Sequence, residues 1–386
     1  MIRVDGLCKF FQSPEGKVPA VNGISFEVPD GSFFTLLGPS GCGKTTTLRC
    51  LAGLERPDSG AINFGEEVVF SSQKGTFVPA NRRSIGMVFQ SYAIWPHMNV
   101  FDNVAYPLRA RKRSRSVIQT KVMQALELVG MASLANRPAP RLSGGQQQRI
   151  ALARAIVSEP QVLLLDEPLS NLDAKLRAQM RTELKRLQRK VGVTAVYVTH
   201  DQQEALALSD QIAVMNRGEI VQLGTPEQIY LAPRDRFTAS FIGTTNILEG
   251  RLVGRRGGNL VEVETAAGRI CATVVDPSLL QGDRLAVSIR PEWVTTSPTE
   301  PEPCDSQNRL EGRVTDLVFL GETVEYDVQV GQSSFFIRDN PLRRFARGDL
   351  MYMTIPVELC TAVLSDGSSD PLPKQDGELE PEAVRV

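Results

Sequence analysis

Residues 38–45 read GPSGCGKT, a glycine-rich pattern whose residue types and spacing suit phosphate binding. Gly38, Gly41 and Gly43 allow the backbone to turn its N–H groups inward, at the start of a predicted helix whose dipole favours an anion. We expect Lys44 to reach the β- and γ-phosphates of a nucleotide and Thr45 to place its hydroxyl on Mg²⁺. A purely structural glycine turn is the alternative. The candidate binding residues of this loop are Gly38, Pro39, Ser40, Gly41, Cys42, Gly43, Lys44, Thr45 and Thr46.

A second chemical pattern is VLLLDE at residues 162–167, an apolar run that ends in two carboxylates. The run predicts a buried strand, so that Asp166 lies at the mouth of a sheet, where it can hold the magnesium shell. The adjacent Glu167 can accept a proton from an attacking water molecule. Such a strand is common by itself, but together with a phosphate-binding loop it indicates nucleotide hydrolysis.

A third pattern, LSGGQQQR at residues 142–149, places Ser143 and two glycines directly before a helical stretch. A helix that begins in this way can bind an anion at its N-terminus. The same residues also suit a helix that is simply capped. The residues alone therefore leave a second phosphate site and a capped helix as alternatives.

These patterns need a scaffold, and residues 1 to about 235 alternate short β-branched runs with helical stretches, as an α/β domain does. Residues 32–38, 162–167 and 194–200 predict buried strands of a parallel sheet. Between the last two, apolar residues recur at helical spacing and predict a helix with one core-facing side. That stripe consists of Leu176, Met180, Leu184, Leu187 and Val191.

The texture changes after residue 241, where strand-length pieces alternate with glycine and proline turns. This pattern predicts a separate small β-barrel or sandwich over residues 241–364, with residues 297–303 looping out of it. From residue 365 the chain is acidic and nearly free of aromatic side chains, which predicts a disordered tail over residues 365–386.

The composition excludes several classes of protein. With 386 residues, 42% apolar and 23% charged, it is that of a soluble globular protein of two or three domains. No apolar run approaches the roughly eighteen residues of a membrane helix, and the N-terminus lacks a signal-peptide pattern, so we expect neither a membrane span nor secretion. Six scattered cysteines without a CxxC pair indicate reduced thiols. A formal charge of −1 gives no general attraction to nucleic acid, although the basic run at residues 109–116 is either a solvated helix start or a nucleic-acid contact.

The order of these motifs resembles the ATP-binding subunits of ABC transporters. GPSGCGKT, Gln90, LSGGQ, VLLLDE, SNLD (residues 170–173) and His200 follow one another in that order, and the resemblance covers the first 240 residues. It implies an α/β P-loop ATPase with a helical subdomain at about residues 91–158. It also implies a head-to-tail homodimer, in which each ATP is held between the P-loop of one subunit and the LSGGQ segment of the other.

The resemblance assigns roles to single residues. Ser143, Gly144, Gly145 and Gln146 would bind the nucleotide of the partner subunit, and Asp173 would couple the two sites. His200 would contact the γ-phosphate in its own subunit, and Gln90 would touch both the magnesium shell and the attacking water. An aromatic residue near the N-terminus stacks on adenine in this family; Phe11 is the candidate and Phe10 the alternative.

The second domain carries SIRPEWV at residues 288–294 and resembles the regulatory domain of one importer branch. That branch handles maltose-type sugars, ferric iron, polyamines, sulfate and phosphonates, and the domain is all-β and OB-like. We therefore expect the ATPase of a bacterial importer, bound to permease subunits at the cytoplasmic face of the membrane and served indirectly by an external binding protein. Ferric iron or polyamines are the expected cargo, with phosphonate, sulfate or sugar as alternatives. A soluble ABC ATPase that acts on ribosomes or nucleic acid is the rival class.

The stretch that follows Gln90 is unusually apolar for a loop. It reads SYAIWPHMNVFDNV at residues 91–104, and the resemblance places a groove for a permease helix beside it. We expect Tyr92, Ile94, Trp95 and Met98 to be exposed as a docking surface. Phe101 and Val104 are expected to pack the helical subdomain instead.

Overall fold

A computed structural model describes residues 1–14, 16–275, 284–342 and 344–365. The chain divides into two compact units, the first covering Met1–Ile229 and the second beginning at Tyr230. The sequence placed the domain boundary slightly later, at about residue 240. Residues 366–386, which make up nearly all of the predicted acidic tail, lie outside the described residues.

The first unit contains eleven strands and most of the helices. Its strands are β1 (Ile2–Ser13), β2 (Gly16–Val28), β3 (Phe33–Leu37), β4 (Ser59–Phe64), β5 (Glu67–Ser71), β6 (Thr76–Phe77), β7 (Ile85–Val88), β8 (Val162–Asp166), β9 (Thr194–Thr199), β10 (Gln211–Asn216) and β11 (Glu219–Gly224). Its helices are α1 (Lys44–Ala52), α2 (Val100–Ala110), α3 (Arg115–Leu128), α4 (Gly144–Ile156), α5 (Ala174–Val191) and α6 (Gln202–Leu208), and α7 (Pro226–Leu231) follows at the boundary.

The strands form two sheets. An antiparallel sheet has the order β2-β1-β4-β5-β6, and the central sheet has the order β11-β10-β3-β9-β8-β7. In the central sheet β10, β3, β9, β8 and β7 are parallel, and only β11 pairs antiparallel. Every residue of β3, β8 and β9 is buried, as their continuous apolar runs predict for strands covered on both faces.

This topology gathers the predicted motifs. The loop at residues 38–43 follows β3, Asp166 ends β8, His200 follows β9, and Gln90 lies just after β7. Because these four strands are neighbours and parallel, their carboxyl ends share one edge, where open α/β sheets bind ligands.

Helices α2, α3 and α4 form a helical subdomain, and their apolar side chains share one hydrophobic core with one face of the central sheet. Val104 is fully buried in that core and Phe101 packs against it, as predicted. The stripe on α5 is confirmed for Met180, Leu184 and Leu187, which are buried. It is wrong for Val191, which is exposed at the last turn of the helix, directly before the left-handed C-cap Gly192.

The second unit contains α8 (Arg236–Phe241) and two small β structures. Its strands are β12 (Asn246–Gly257), β13 (Leu260–Thr265), β14 (Gly268–Val274), β15 (Arg284–Ile289), β16 (Thr295–Ser297), β17 (Gln307–Phe319), β18 (Val324–Val330), β19 (Ser333–Asp339), β20 (Leu350–Pro356) and β21 (Cys360–Leu364). The order β12-β13-β14-β21-β15 closes a barrel, and β16-β20-β17-β18-β19 form a sheet. Residues 298–306 contain no regular secondary structure, as predicted for the proline-rich loop.

Within SIRPEWV, Arg290 is buried and donates hydrogen bonds to the carbonyls of Tyr230, Ala239 and Thr244. This arginine ties the start of the unit to its barrel, which gives the motif a structural role.

Candidate functional site

The phosphate-binding pattern forms a tight loop between β3 and α1. Gly41 and Gly43 have φ of 80° and 105°, values that side chains other than glycine rarely adopt. A Cβ on Gly43 would also collide with the carbonyl oxygen of Ala20. Lys44 is buried, and its ammonium donates hydrogen bonds to the carbonyls of Gly38 (2.7 Å) and Pro39 (2.8 Å). The carbonyls of the loop therefore hold the lysine ammonium beside the glycine turn, where its charge can attract an anion.

Thr45 and Asp166 meet where α1 and β8 lie side by side. The Thr45 hydroxyl donates a 3.1 Å hydrogen bond to Asp166 Oδ1. Burial raises the pKa of the Asp166 carboxyl above its usual value, while the hydrogen bond from Thr45 works in the opposite direction. A carboxylate at this depth is stabilised by a cation, and the two side chains together offer oxygen ligands of the kind that Mg²⁺ prefers.

The remaining residues of the loop differ in access. Ser40 and Gly41 are exposed, Thr46 is half-buried and Cys42 is buried. Burial raises the pKa of the Cys42 thiol, although Lys44 beside it works in the opposite direction. Since the thiolate is the reactive form of cysteine, Cys42 is a poor target for modification.

Glu167 lies one residue beyond the strand end and meets side chains from two other loops. Its Oε2 lies 3.2 Å from His200 Nδ1 and accepts a 3.4 Å hydrogen bond from Gln90 Nε2. The backbone of Glu167 has φ of 43°, a left-handed conformation that costs a non-glycine residue about 1–3 kcal/mol. Its own N–H donates to the Val198 carbonyl at 3.0 Å, which fixes this turn against β9. The structure thus brings together the three residues that were predicted to carry the catalysis.

The segment after Glu167 connects the three loops through contacts that the sequence did not reveal. Asn171 Nδ2 donates to the Gln90 carbonyl at 2.8 Å, and Asp173 accepts from Leu176 N at 2.9 Å as the N-cap of α5. Arg177 donates to the Leu172 carbonyl at 3.1 Å and pairs with Asp201 at 3.2 Å. Asn171 and Arg177 were not predicted, because neither their residue types nor their spacing indicates which elements their side chains reach.

The LSGGQ segment begins α4. Ser143 is the N-cap, and its backbone N–H donates to Gln146 Oε1 at 3.0 Å, so Gln146 serves as a capping residue. Ser143 and Gly144 are exposed, whereas Gly145 is buried against Leu176. The capped-helix alternative is therefore realised, and the exposed first turn leaves room for a ligand as well.

Sequence comparisons place this geometry in a family. The ABC transporter family model matches residues 21–170, and the TOBE domain model matches residues 287–363. The spermidine/putrescine import ATP-binding protein of Thermobifida fusca is 47% identical over 329 residues, which are 85% of this chain and 83% of that protein. The chain belongs to the ABC transporter family, as an ATP-binding subunit.

Two other relatives are named for different cargoes. The Fe(3+) ions import ATP-binding protein of Rhizobium etli is 45% identical over 89% of this chain and 94% of its own length. The trehalose/maltose import ATP-binding protein of Thermococcus litoralis is 58% identical over 59% of this chain and 62% of its own length. The prediction of an α/β P-loop cassette followed by an all-β domain with a small barrel is confirmed.

Solved structures agree with the cassette fold. A dimeric bacterial ABC transporter cassette has a TM-score of 0.51 and 29% identity, and covers 58% of this chain and 99% of that one. A cassette from Clostridium perfringens, part of an ABC transporter complex, has a TM-score of 0.53 and 30% identity over 59% of this chain and 89% of its own. This cassette is thus an ATPase that binds ATP and couples hydrolysis to import, in a family whose ATPase subunits function with permeases.

Phe11 lies near the end of β1 with 44% of its surface exposed. Lys9 Nζ lies 5.2 Å from the centroid of its ring, whereas Phe10 is half-buried and pairs with Pro19. Of the two candidates, Phe11 is the one whose ring the cassette leaves open to a ligand.

The apolar stretch after Gln90 is less exposed than predicted. Tyr92 is 5% exposed and belongs to the core of the helical subdomain, so its prediction as an exposed docking residue is wrong. Its backbone has φ of 59°, a left-handed conformation that neither its residue type nor the apolar pattern predicts. Ile94, Trp95 and Met98 are half-buried, and Ile94 packs against the same core. The well-exposed aromatic rings near this loop are those of Phe89 and Tyr106.

Two features are absent from the described residues of both units. No helix there is long and apolar enough to cross a bilayer. No group of three or more His, Cys, Asp or Glu side chains there could hold a metal ion by itself. A magnesium ion at Thr45 and Asp166 would therefore need further oxygen ligands from a bound nucleotide.

Proposed function

We propose that this ATPase hydrolyses ATP with Glu167 as the general base, assisted by His200 and Gln90. The observation that carries the proposal is that His200 and Gln90 both lie within 3.4 Å of one carboxylate oxygen of Glu167. This contact lies at the sheet edge that also holds the P-loop. Glu167 would accept a proton from the attacking water, which Gln90 orients, while His200 contacts the γ-phosphate. Lys44 and the loop N–H groups would hold the phosphates.

Magnesium fits the donors at this edge. Thr45, Asp166 and Gln90 would hold Mg²⁺, with Thr45 and Asp166 already in contact through a 3.1 Å hydrogen bond. The ion would offset the negative charge that the phosphate oxygens bring into a buried site. Phe11 would stack on the adenine, since its ring is exposed near the end of β1.

Two cassettes would complete each other in a homodimer. Ser143, Gly144, Gly145 and Gln146 of one subunit would face the nucleotide on the P-loop of the other, and Asp173 would link the two sites. The exposure of Ser143 and Gly144 at a helix N-terminus supports this arrangement, as do the dimeric structures of related cassettes.

We assign ATP hydrolysis to residues 1–240 and regulation to residues 241–364. The cassette would act on permease subunits at the cytoplasmic face of the membrane, with an external binding protein delivering cargo to the permease and no part for nucleic acid. Ferric iron or polyamines are the proposed cargo, because relatives named for the import of those cargoes align over 85% and 89% of this chain. Phosphonate, sulfate or sugar is the alternative cargo. Sugar is supported by the 58% identity to a trehalose/maltose import protein, although that match covers only 59% of this chain.

Reconstitution tests the cargo. The cassette is assembled with its permease in proteoliposomes, and its ATPase rate is measured with the cognate binding protein loaded in turn with Fe³⁺, spermidine, phosphonate, sulfate or maltose. We expect stimulation by Fe³⁺ or spermidine alone, with the unloaded binding protein as control. Stimulation by phosphonate, sulfate or maltose would overturn the proposed cargo. ATP hydrolysis that the permease does not stimulate with any loaded binding protein would overturn the proposed coupling to import.

A further inference from the structure

The backbone just after Gln90 is held in an unfavourable conformation at two consecutive positions. Tyr92 and Ala93 have φ of 59° and 47°, and neither is glycine. The turn is closed by a 2.9 Å hydrogen bond from Tyr92 N to the Phe89 carbonyl. Left-handed conformations of this kind persist at ordinary residues only where the surrounding structure compensates for them.

Arg154 of α4 supplies that compensation. Its Nη2 donates to the Tyr92 carbonyl at 2.6 Å and its Nη1 donates to the Ala93 carbonyl at 2.7 Å. The guanidinium carbon also lies 4.6 Å from the centroid of the Trp95 ring. One planar group thus contacts three residues of this loop, with two hydrogen bonds that match its forked geometry.

The environment of Arg154 is unusual for an arginine. The residue is 8% exposed, and among the described side chains no carboxylate forms an ion pair with it. Burial lowers the pKa of its guanidinium to about 10. Burying an arginine without a carboxylate partner costs free energy. Here the hydrogen bonds to the two loop carbonyls offset part of that cost.

The loop is fixed at both ends as well. Asn103 of α2 accepts from Trp95 N at 2.9 Å and donates to the Trp95 carbonyl at 3.2 Å. Asn171 donates to the Gln90 carbonyl at 2.8 Å. Between these anchors, the two hydrogen bonds of Arg154 join the loop backbone to α4, whose first turn carries Ser143 and Gly144.

We propose that Arg154 is a positioning residue for Gln90. By holding Tyr92 and Ala93 in the left-handed turn, it sets where Gln90 stands beside Glu167, and it transmits any movement of α4 to that glutamine. Movement at the LSGGQ end of α4 would thus reach the catalytic edge through one guanidinium. The inference rests on the proposed role of Gln90 in hydrolysis.

Arg154→Met tests the clamp in the full-length protein. Since Arg154 does not touch the P-loop, we expect kcat to fall about tenfold or more while KM for ATP stays within about twofold. Arg83→Met is the matched control, because Arg83 is also buried and donates to the backbone carbonyls of Cys50, Leu51 and Val78, away from Gln90. That control should lose stability and keep its kcat per folded molecule.

Ala93→Gly provides a rescue that a merely structural arginine would not show. Ala93 is exposed, so its methyl group can be removed without opening a cavity, and glycine adopts the left-handed turn freely. In the Arg154→Met protein this change should recover a large part of kcat, and in the parent protein it should leave kcat unchanged. If Arg154→Met does not fold, Arg154→Lys, which keeps the charge and can reach one carbonyl, should give an intermediate kcat with the same rescue.

A spectroscopic readout follows the loop directly. The chain has two tryptophans, Trp95 and Trp293, so Trp293→Phe leaves Trp95 as the reporter. Its emission should shift in Arg154→Met and not in Arg83→Met. The inference is overturned if Arg154→Met keeps its kcat while Gln90→Ala is slow, or if Ala93→Gly gives no rescue. A normal kcat in Gln90→Ala would instead overturn the role proposed for Gln90.

Discussion

Glu167 and His200 lie side by side at the ends of neighbouring strands, with 3.2 Å between Glu167 Oε2 and His200 Nδ1. The backbone of Glu167, directly after the last residue of β8, has a left-handed φ of 43°. Strain at a single polar residue between a buried strand and two loops is typical of a functional site. The contact brings side chains from two different loops together at one edge of the central sheet.

Lys44→Ala should lose nucleotide affinity. The buried Lys44 ammonium donates hydrogen bonds to the loop carbonyls of Gly38 and Pro39. Without this charge, the backbone N–H groups of the loop would bind the phosphates alone. We expect Kd for ATP to rise at least about tenfold, equivalent to one charge-assisted contact. A direct binding titration measures this change. Lys74→Ala, at an exposed position in the turn between β5 and β6, serves as the control, and an unaltered Kd for Lys44→Ala would refute the role of the lysine.

A mixed dimer tests whether LSGGQ acts on the partner's nucleotide. Gly144→Asp is suitable because a Cβ there only reaches ordinary contact with Leu172, and an acid in the first turn favours the helix while repelling phosphate. One Lys44→Ala chain is paired with one Gly144→Asp chain, using separate purification tags. In the head-to-tail arrangement both lesions fall in one site and the other stays intact.

The nucleotide retained per dimer gives the result. We expect the mixed dimer to retain about half as much ATP as the parent, since one of two symmetric sites is whole. Retention as low as in either mutant homodimer would mean that each chain builds its site alone, contrary to the proposal.

Phe11→Ala should weaken adenine binding. Stacking of a base on an aromatic ring is worth about 1–3 kcal/mol, so KM for ATP should rise roughly tenfold with kcat little changed. Phe10→Ala, in the half-buried neighbour, is the comparison. A larger effect of Phe10→Ala on KM would transfer the stacking role to that residue.

Glu204 gives a prediction about pH. The residue is buried, and its Oε2 accepts hydrogen bonds from Tyr197 and Thr199, each at 2.7 Å. Burial raises its pKa; these two hydrogen bonds and Arg177 act in the opposite direction, and Asp201 adds to the rise. The stability that Glu204 contributes is thus complete below its unfolded pKa, and it is lost as the pH rises through the higher folded value.

Glu204→Gln cannot ionise and keeps an oxygen acceptor. The Tm of the variant relative to the parent should therefore increase as the pH is raised from about 4.5 to about 7.5. Thermal unfolding of both proteins across that range measures the difference. A difference that stays constant or decreases with pH would show that the ionised carboxylate is not destabilised by burial.

Much of the cassette could be predicted because its motifs follow buried strands. The apolar runs fix β3, β8 and β9, and parallel strands bring their carboxyl ends together, so the P-loop, Asp166 and His200 had to share an edge. Gln90 was different, since only the order of family motifs singled it out. In the structure Gln90 follows β7, the strand beside β8, and so it reaches the same sheet edge as Asp166.

The two wrong predictions of burial have different local causes. Residue type and pattern predict that Tyr92 is an exposed aromatic residue of a loop. They do not predict its left-handed backbone, and in the structure its ring is buried. Val191 fails because the stripe continues one turn beyond the point where α5 leaves the core. Arg154, Asn171 and Arg177 act across elements, and a single sequence does not reveal where such side chains reach.

Glu167→Gln examines the central claim most directly. Glutamine keeps the size and hydrogen-bonding capacity of Glu167 but cannot accept a proton at neutral pH. The measurement is the single-turnover rate of ATP hydrolysis, taken beside an ATP-binding titration of the same preparation. We predict that the variant binds ATP with a Kd within about twofold of the parent and hydrolyses it at least about 10²-fold more slowly. Near-normal hydrolysis by Glu167→Gln would contradict the assignment of Glu167 as the catalytic base.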